Sequence, residues 1–390
     1  MKMKFQMNLK KFILFGIFLT LLTGCGKLTL RTPEANNKIQ PTQQVEALPP
    51  KETPIASAEI PTQIQPTPLG GGSGRIAFSL YSIDMRNSDL FVMNISDNGN
   101  IIQLTKNDNV IEILWSPDGE KIAFVNKFEG NYDIYVINAD GNNKLRLTSN
   151  SGTNLLGLWS LDGRKIYFSS NRTGKTKIYS MNVDGSSQKL IANTNQEKDS
   201  CHGFSLSSSG KIIVYSSDYD GYCQICLMNT DGTNKTILTQ NKSNNYDPKF
   251  SPDEKMISFI SNRDGHKQIY VMNSDGNNQR RLSNTDSFID DVGAIWISEI
   301  KSIGVYSENN QSSHLMPPCF INVENENRNC LNEIDSGDEG FLISPDNKKM
   351  IRIININGNS RIYLMDIDGN NQEILTDQTG LIADMRWSPA

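Results

Sequence analysis

The chain has 390 residues, of which 37% are hydrophobic and 29 are glycine, and its formal charge is −5. That length could hold one large domain or two ordinary ones, and mild acidity without a basic stripe argues against nucleic-acid binding. The glycine content, together with many Asn, Asp and Ser residues, points to frequent tight turns.

The first residues read as a targeting segment. Lys2, Lys4, Lys10 and Lys11 precede an uncharged apolar run of 11 residues from Phe12 to Leu22. Such a run is short for a membrane span and suits a signal peptide. It ends in Leu22-Thr23-Gly24-Cys25, which looks like a bacterial lipobox whose Cys25 thiol would accept a diacylglycerol. Cleavage before Cys25 removes four lysines and no acid, which leaves a mature charge of −9. Acyl chains hold a membrane at about 0.8 kcal/mol per buried methylene. The expectation is a signal peptide over 1–24 and an exported protein anchored by lipid in the cell envelope. Gly26, in place of an aspartate associated with inner-membrane retention, suggests the outer membrane of a two-membrane cell. In a single-membrane cell the protein would sit on the extracytoplasmic face.

Residues 25–73 hold eight of the 15 prolines among Thr, Gln, Glu and Ala, and end in Gly70-Gly71-Gly72-Ser73. Neither strand nor helix period is present, and so little apolar surface cannot offset the entropy of ordering. A disordered tether with local polyproline character is expected.

From residue 74 to 390 a phrase recurs. Its anchors are Trp115, Trp159, Phe204, Phe250, Trp296, Ile343 and Trp387, spaced 44 to 47 residues apart. Several stand in the phrase W/F-S-P-D-G, as in Trp115-Ser116-Pro117-Asp118-Gly119. In the clearest copy, Ile113–Trp115 reads as a first strand, 121–125 as a second, 133–137 as a third and 144–148 as a fourth. Asp-Gly turns such as Asp140-Gly141 link the last two, because glycine accepts positive φ freely. One four-stranded meander cannot bury both of its faces, so the units must stack, and twisted four-stranded sheets stack around an axis as a β-propeller. Six units are complete. The seventh has its second to fourth strands at 75–78, 89–93 and 101–104, and its first strand at 385–389. The fold expected is therefore all-β: a seven-bladed propeller of four-stranded antiparallel blades, with N- and C-terminal strands sharing one blade.

These repeats resemble the TolB-like propeller family, related to WD-repeat and tricorn-type propellers. The chain departs from TolB itself, which has six blades behind a small α/β domain and no lipid anchor. The resemblance implies that each first strand lines a central channel and that partner peptides dock at a channel mouth.

Few residues suggest catalysis. There is no G-x-S-x-G nucleophile elbow, and His202, His266 and His314 lie in separate units without metal-ligand spacing. Asn171-Arg172 and Asn262-Arg263 occupy equivalent loops and read as repeat-encoded stabilisation. Asp366-Ile367-Asp368-Gly369 offers too few oxygens for a calcium loop. Neither a metal nor a cofactor is expected.

One pattern suggests a surface. Before the first strand, six of the seven units carry an acid: Glu112, Asp199, Asp247, Asp291, Asp338 and Asp384. Asn154 stands in the seventh. By the family geometry these would ring a channel mouth and focus a negative potential on a basic ligand. A plain preference of strand starts for Asp is the competing reading.

Export permits disulfides. Cys319 and Cys330 flank a turn symmetrically on adjacent strands and are expected to pair. Cys223-Gln224-Ile225-Cys226 mimics a redox motif but lies in a strand, where its cysteines point to opposite faces. Cys201 and Cys223 are the second expected pair. The reading is a monomeric envelope lipoprotein, not an enzyme, whose propeller binds an envelope protein or peptide, with a basic segment as the expected ligand. The alternatives are a glycan hydrolase or lyase using channel-mouth carboxylates and a structural spacer.

Overall fold

The structure, a computed structural model, describes residues 74–82, 86–95, 99–149, 152–193, 203–298, 301–309, 314–332, 338–356, 358–378 and 380–389. The expected lipidation residue Cys25, the expected tether, Asp199, Cys201 and His202 lie outside them, and of Asp338 and His314 only the backbone is described.

Seven antiparallel sheets form a ring of blades. Blade two shows why these residues make strands. In Lys121–Phe128 the apolar residues lie on both faces: Ile122 and Phe124 enter one core, and Ala123 and Val125 enter the next. The period-two alternation thus separates two destinations, both buried. The first core joins blade two to Ala77, Leu90 and Val92 of blade one. The second joins it to Ile166, Phe168 and Tyr179 of blade three. Further cores join each remaining pair of neighbours. The last sets Ile351, Ile362 and Leu364 of blade seven against Ile76, Phe78 and Met385 of blade one, and so closes the circle.

Blade one is built from both ends of the repeat region. Ile382–Trp387 forms its innermost strand and pairs antiparallel with Arg75–Tyr81, Trp387 opposite Ile76 and Met385 opposite Phe78. The other innermost strands are Val110–Trp115, Asn154–Trp159, Phe204–Leu206, Asn245–Phe250, Ile289–Ile297 and Asp338–Ile343. Blade six carries an additional two-residue strand, His314–Leu315, on its second strand.

The register corrects one anchor. Trp115, Trp159, Phe250, Trp296, Ile343 and Trp387 each face the second residue of the next strand, such as Ile122 or Ile303. In blade four that partner, Ile213, faces Leu206, while Phe204 faces Tyr215. Phe204 therefore sits two residues before the anchor. Its ring lies where a Cβ on Gly157 would stand, 1.6 Å from Phe204 Cζ, so blade three needs glycine there.

The recurring Ser-Pro-Asp-Gly phrase encodes a turn. Ser116 Oγ accepts the Lys121 amide at 2.9 Å and donates to Asp118 Oδ1, which also accepts the Glu120 amide. Ser160, Ser251 and Ser344 repeat this hydroxyl cap.

The fourth strands of blades two, four and five are only two residues long. Blade two keeps only Leu145–Arg146. The expected continuation fails because Thr148 Oγ1 replaces the backbone ladder, accepting the Ile134 amide at 2.9 Å and donating to Asp133. Thr105, Thr239 and Ser283 make the same substitution in blades one, four and five.

Cys319 and Cys330 face each other on the third and fourth strands of blade six, with Cα atoms 3.9 Å apart and sulfurs at bonding distance. Cys223 is disulfide-bonded, and Cys226 is a buried free thiol packed beside Tyr215.

Candidate functional site: carboxylates of the inner strands

An innermost strand has one neighbour in its own sheet, so its other edge presents unpaired N–H and C=O groups. Side chains reaching across from adjoining blades engage several of them. Trp115 Nε1 donates to the carbonyl of Arg386, Trp159 Nε1 to that of Leu114, and Trp296 Nε1 to that of Lys249, at 3.1–3.3 Å. These three indoles fasten blades two, three and six to the blade before.

The acids fasten in the other direction. Asp384 Oδ2 accepts the Ile113 amide and Glu112 Oε2 accepts the Leu156 amide, both at 2.8 Å. Asp384 Oδ1 also accepts the Met385 amide and the Arg386 guanidinium. These acids lie within the first strands rather than ahead of them, because a register slip in the ladder lets the strand begin earlier.

Register also divides the expected ring into two sets. Glu112 and Asp384 stand three residues before the anchor, opposite the fifth residue of the next strand; Asp247 has the same count but lies unpaired in the bulge between Tyr246 and Lys249. Asp291 and Asp338 stand five before it, level with Asn154 and Asn245. That outer position belongs to a strut. Ser170 and Arg172 both donate to Asn154 Oδ1, and Ser261 and Arg263 both donate to Asn245 Oδ1. Each arginine also lies over two aromatic rings, Phe168 and Tyr179 or Phe259 and Tyr270. In blade six Asp291 is fully buried and accepts Ser307 and Ser283, with Arg328 3.9 Å away. Burial raises its carboxyl pKa against the opposing pull of those partners. Asp291 is thus a strut residue and does not join Glu112, Asp247 and Asp384.

At the inner position the groups sense one another. Burial pushes Glu112 up to about 8; the Leu156 amide opposes this, Asp384 adds to it and Arg386 subtracts. Burial lifts Asp384 to about 6 against Arg386 and the amides of Ile113 and Met385. Burial likewise raises Tyr306, whose phenol lies in the fields of both Arg386 and Asp247 and donates to the Phe341 carbonyl at 2.6 Å. Yet Glu112, Tyr306 and Arg386 keep partial solvent access. Dense surroundings combined with water access are what the wall of a central channel provides. Lys249 pairs with Asp247 at 2.8 Å, so the wall carries cations among its acids and is not a uniform acidic ring.

His266 sits 3.1 Å from the Thr285 carbonyl and beside Gln268 in the approach to blade six. Among the described residues no group of three or more His, Cys, Asp or Glu side chains is arranged to hold a metal ion.

Fold and wall together define a seven-bladed β-propeller with a charged central channel. The model of the TolB beta propeller domain matches residues 69–220 and 200–390, and the chain belongs to that family. TolB from Acinetobacter baumannii is similar in structure, with a TM-score of 0.52 and 18% identity over 82% of this chain and 68% of that one. An oligogalacturonate lyase from Vibrio parahaemolyticus gives a TM-score of 0.57 at 13% identity, covering 78% and 86%. A puromycin hydrolase mutant gives 0.61 at 10% identity, covering 81% and 53%. At such identities these likenesses concern the fold alone. No curated protein matches the chain in sequence.

Proposed function

We propose that this chain is an exported envelope protein, anchored through Cys25 and tethered by 25–73, whose propeller is a docking scaffold for a protein or peptide. The observation behind this reading is the channel wall, to which the inner strands of blades one, two and five contribute Asp384 and Arg386, Glu112, and Asp247 and Lys249, with Tyr306 in the fields of both Arg386 and Asp247. Family membership supports a binding role. A charged channel suits an extended segment whose charges are matched one by one.

A glycan-cleaving reading would need Glu112 and Asp384 as an acid–base pair. Asp384 spends both oxygens on Ile113, Met385 and Arg386, which suits a fastener better than a base. The propeller is therefore read as a binder without turnover.

A photo-crosslinking residue at Leu156, beside Glu112, tests this in native envelopes against the same probe at Ile102, which is 49% exposed on an outermost strand. A discrete protein adduct from position 156 and none from 102 is the expected result. Adducts from neither, or equally from both, would sink the proposal.

A further inference from the structure

Glu112 and Asp384, paired in their ladders, each take an edge amide of the following blade. Asp247 stands in a bulge of its strand, unpaired in the ladder, and takes a different course. Its Oδ1 accepts Lys249 Nζ at 2.8 Å, and its Oδ2 is buried with no hydrogen-bond partner. The residue is only 6% exposed. Its φ is +50°, in the left-handed region where a β-carbon is strained. The ladder slips between Tyr246 and Lys249 to allow this. Gly203 of blade four lies against it, and a Cβ there would stand 2.9 Å from Asp247 Cα. Strain, an unmatched buried oxygen and a glycine that makes room coincide at one residue, and such coincidences mark binding sites more than scaffolding.

We infer that Asp247 is the head-group site of the channel and takes an organic cation, an ammonium or guanidinium carried on a short aliphatic stem. This rests on the docking reading above and names the chemistry that the docked segment presents. A carboxylate oxygen in low-dielectric surroundings favours a charged donor over a neutral one. Lys249 is the internal precedent, since an ammonium on an aliphatic stem already occupies Oδ1. The phenol of Tyr306 lies within electrostatic reach. Elsewhere on the inner strands Leu114, Leu156, Leu158, Ile295 and Leu342 are half-buried apolar residues.

Calorimetric titration of the full chain with n-butylguanidinium and with acetyl-Gly-Arg-Gly-amide tests the site. One saturable event is expected, weakened at least about tenfold by Asp247→Asn, whose side chain tolerates the same backbone angle. Tighter binding of the peptide would assign the cation to a polypeptide, and tighter binding of butylguanidinium to a small molecule. Asp247→Gly relieves both the strain and the unmatched oxygen, so it is expected to raise Tm while abolishing binding. No saturable heat from either probe, or equal binding by Asp247→Asn, overturns the inference. If the Leu156 crosslink survives such a failure, the docking proposal stands and only the cation site falls. Saturable binding without any crosslink would support the cation site and leave the docking proposal refuted.

Discussion

At the scale of single residues, the inner-strand acids show one residue type doing two jobs. Glu112 and Asp384 fasten blades, and their burial carries a pH signature. A carboxyl whose folded pKa is raised binds its proton more tightly folded than unfolded. Stability is then greatest below the unfolded values, 4.5 for Glu112 and 3.8 for Asp384, and declines as pH climbs toward about 8 for Glu112 and about 6 for Asp384. Glu112→Gln keeps an acceptor for the Leu156 amide and removes the charge. It should raise Tm at pH 8 by at least about 3 °C and leave Tm at pH 4.5 unchanged; a pH-independent shift in thermal unfolding would contradict this. Gly157→Ala drives a methyl into the Phe204 ring. The expected cost is at least about 1–3 kcal/mol by urea unfolding, and a neutral result would show that the ring moves aside freely.

At the scale of elements, much was legible because each strand repeats its instructions. The alternation of Ile122, Phe124 and Val125, the Ser-Pro-Asp-Gly turn and the Asp-Gly hairpins each recur, so one clear copy interpreted the weaker ones. Register was harder to read. Phe204 is aromatic and spaced like an anchor, whereas pairing gives that place to Leu206. For the same reason Asp291 and Asp338 were grouped with Glu112, although a slip of two residues puts them at a different level. The Leu-Thr pairs Leu104-Thr105, Leu147-Thr148 and Leu238-Thr239 were a visible signal for the side-chain cap that ends the fourth strands. Thr148→Val, which leaves the Ile134 amide without its acceptor, should cost about 1–3 kcal/mol in denaturant unfolding. A cost near zero would mean that the backbone repairs the ladder. For blade six we propose that the 319–330 bridge forms in the exported protein, in a hairpin that lacks the usual Asp-Gly turn. Peptide mapping without reduction should join the two segments, and free thiols at both positions would refute it.

At the scale of the whole molecule, no blade can bury its own faces, so stability belongs to the ring. Each interblade core draws apolar residues from both neighbours, and the seventh depends on Ile382 and Met385 returning to blade one. Trp115 and Ile113 of blade two also lean on this strand, through the Arg386 carbonyl and the Asp384 carboxylate. Removing it would uncover Ile76 and Phe78, both fully buried, at roughly 1.5–3 kcal/mol each, and would reopen an edge. The direct measurement is thermal unfolding of the full chain beside one that stops at Leu381. A ring closed by both ends predicts one cooperative transition for the full chain and none, or one at far lower temperature, for the shortened chain. An unchanged transition in the shortened chain would contradict closure through the shared blade.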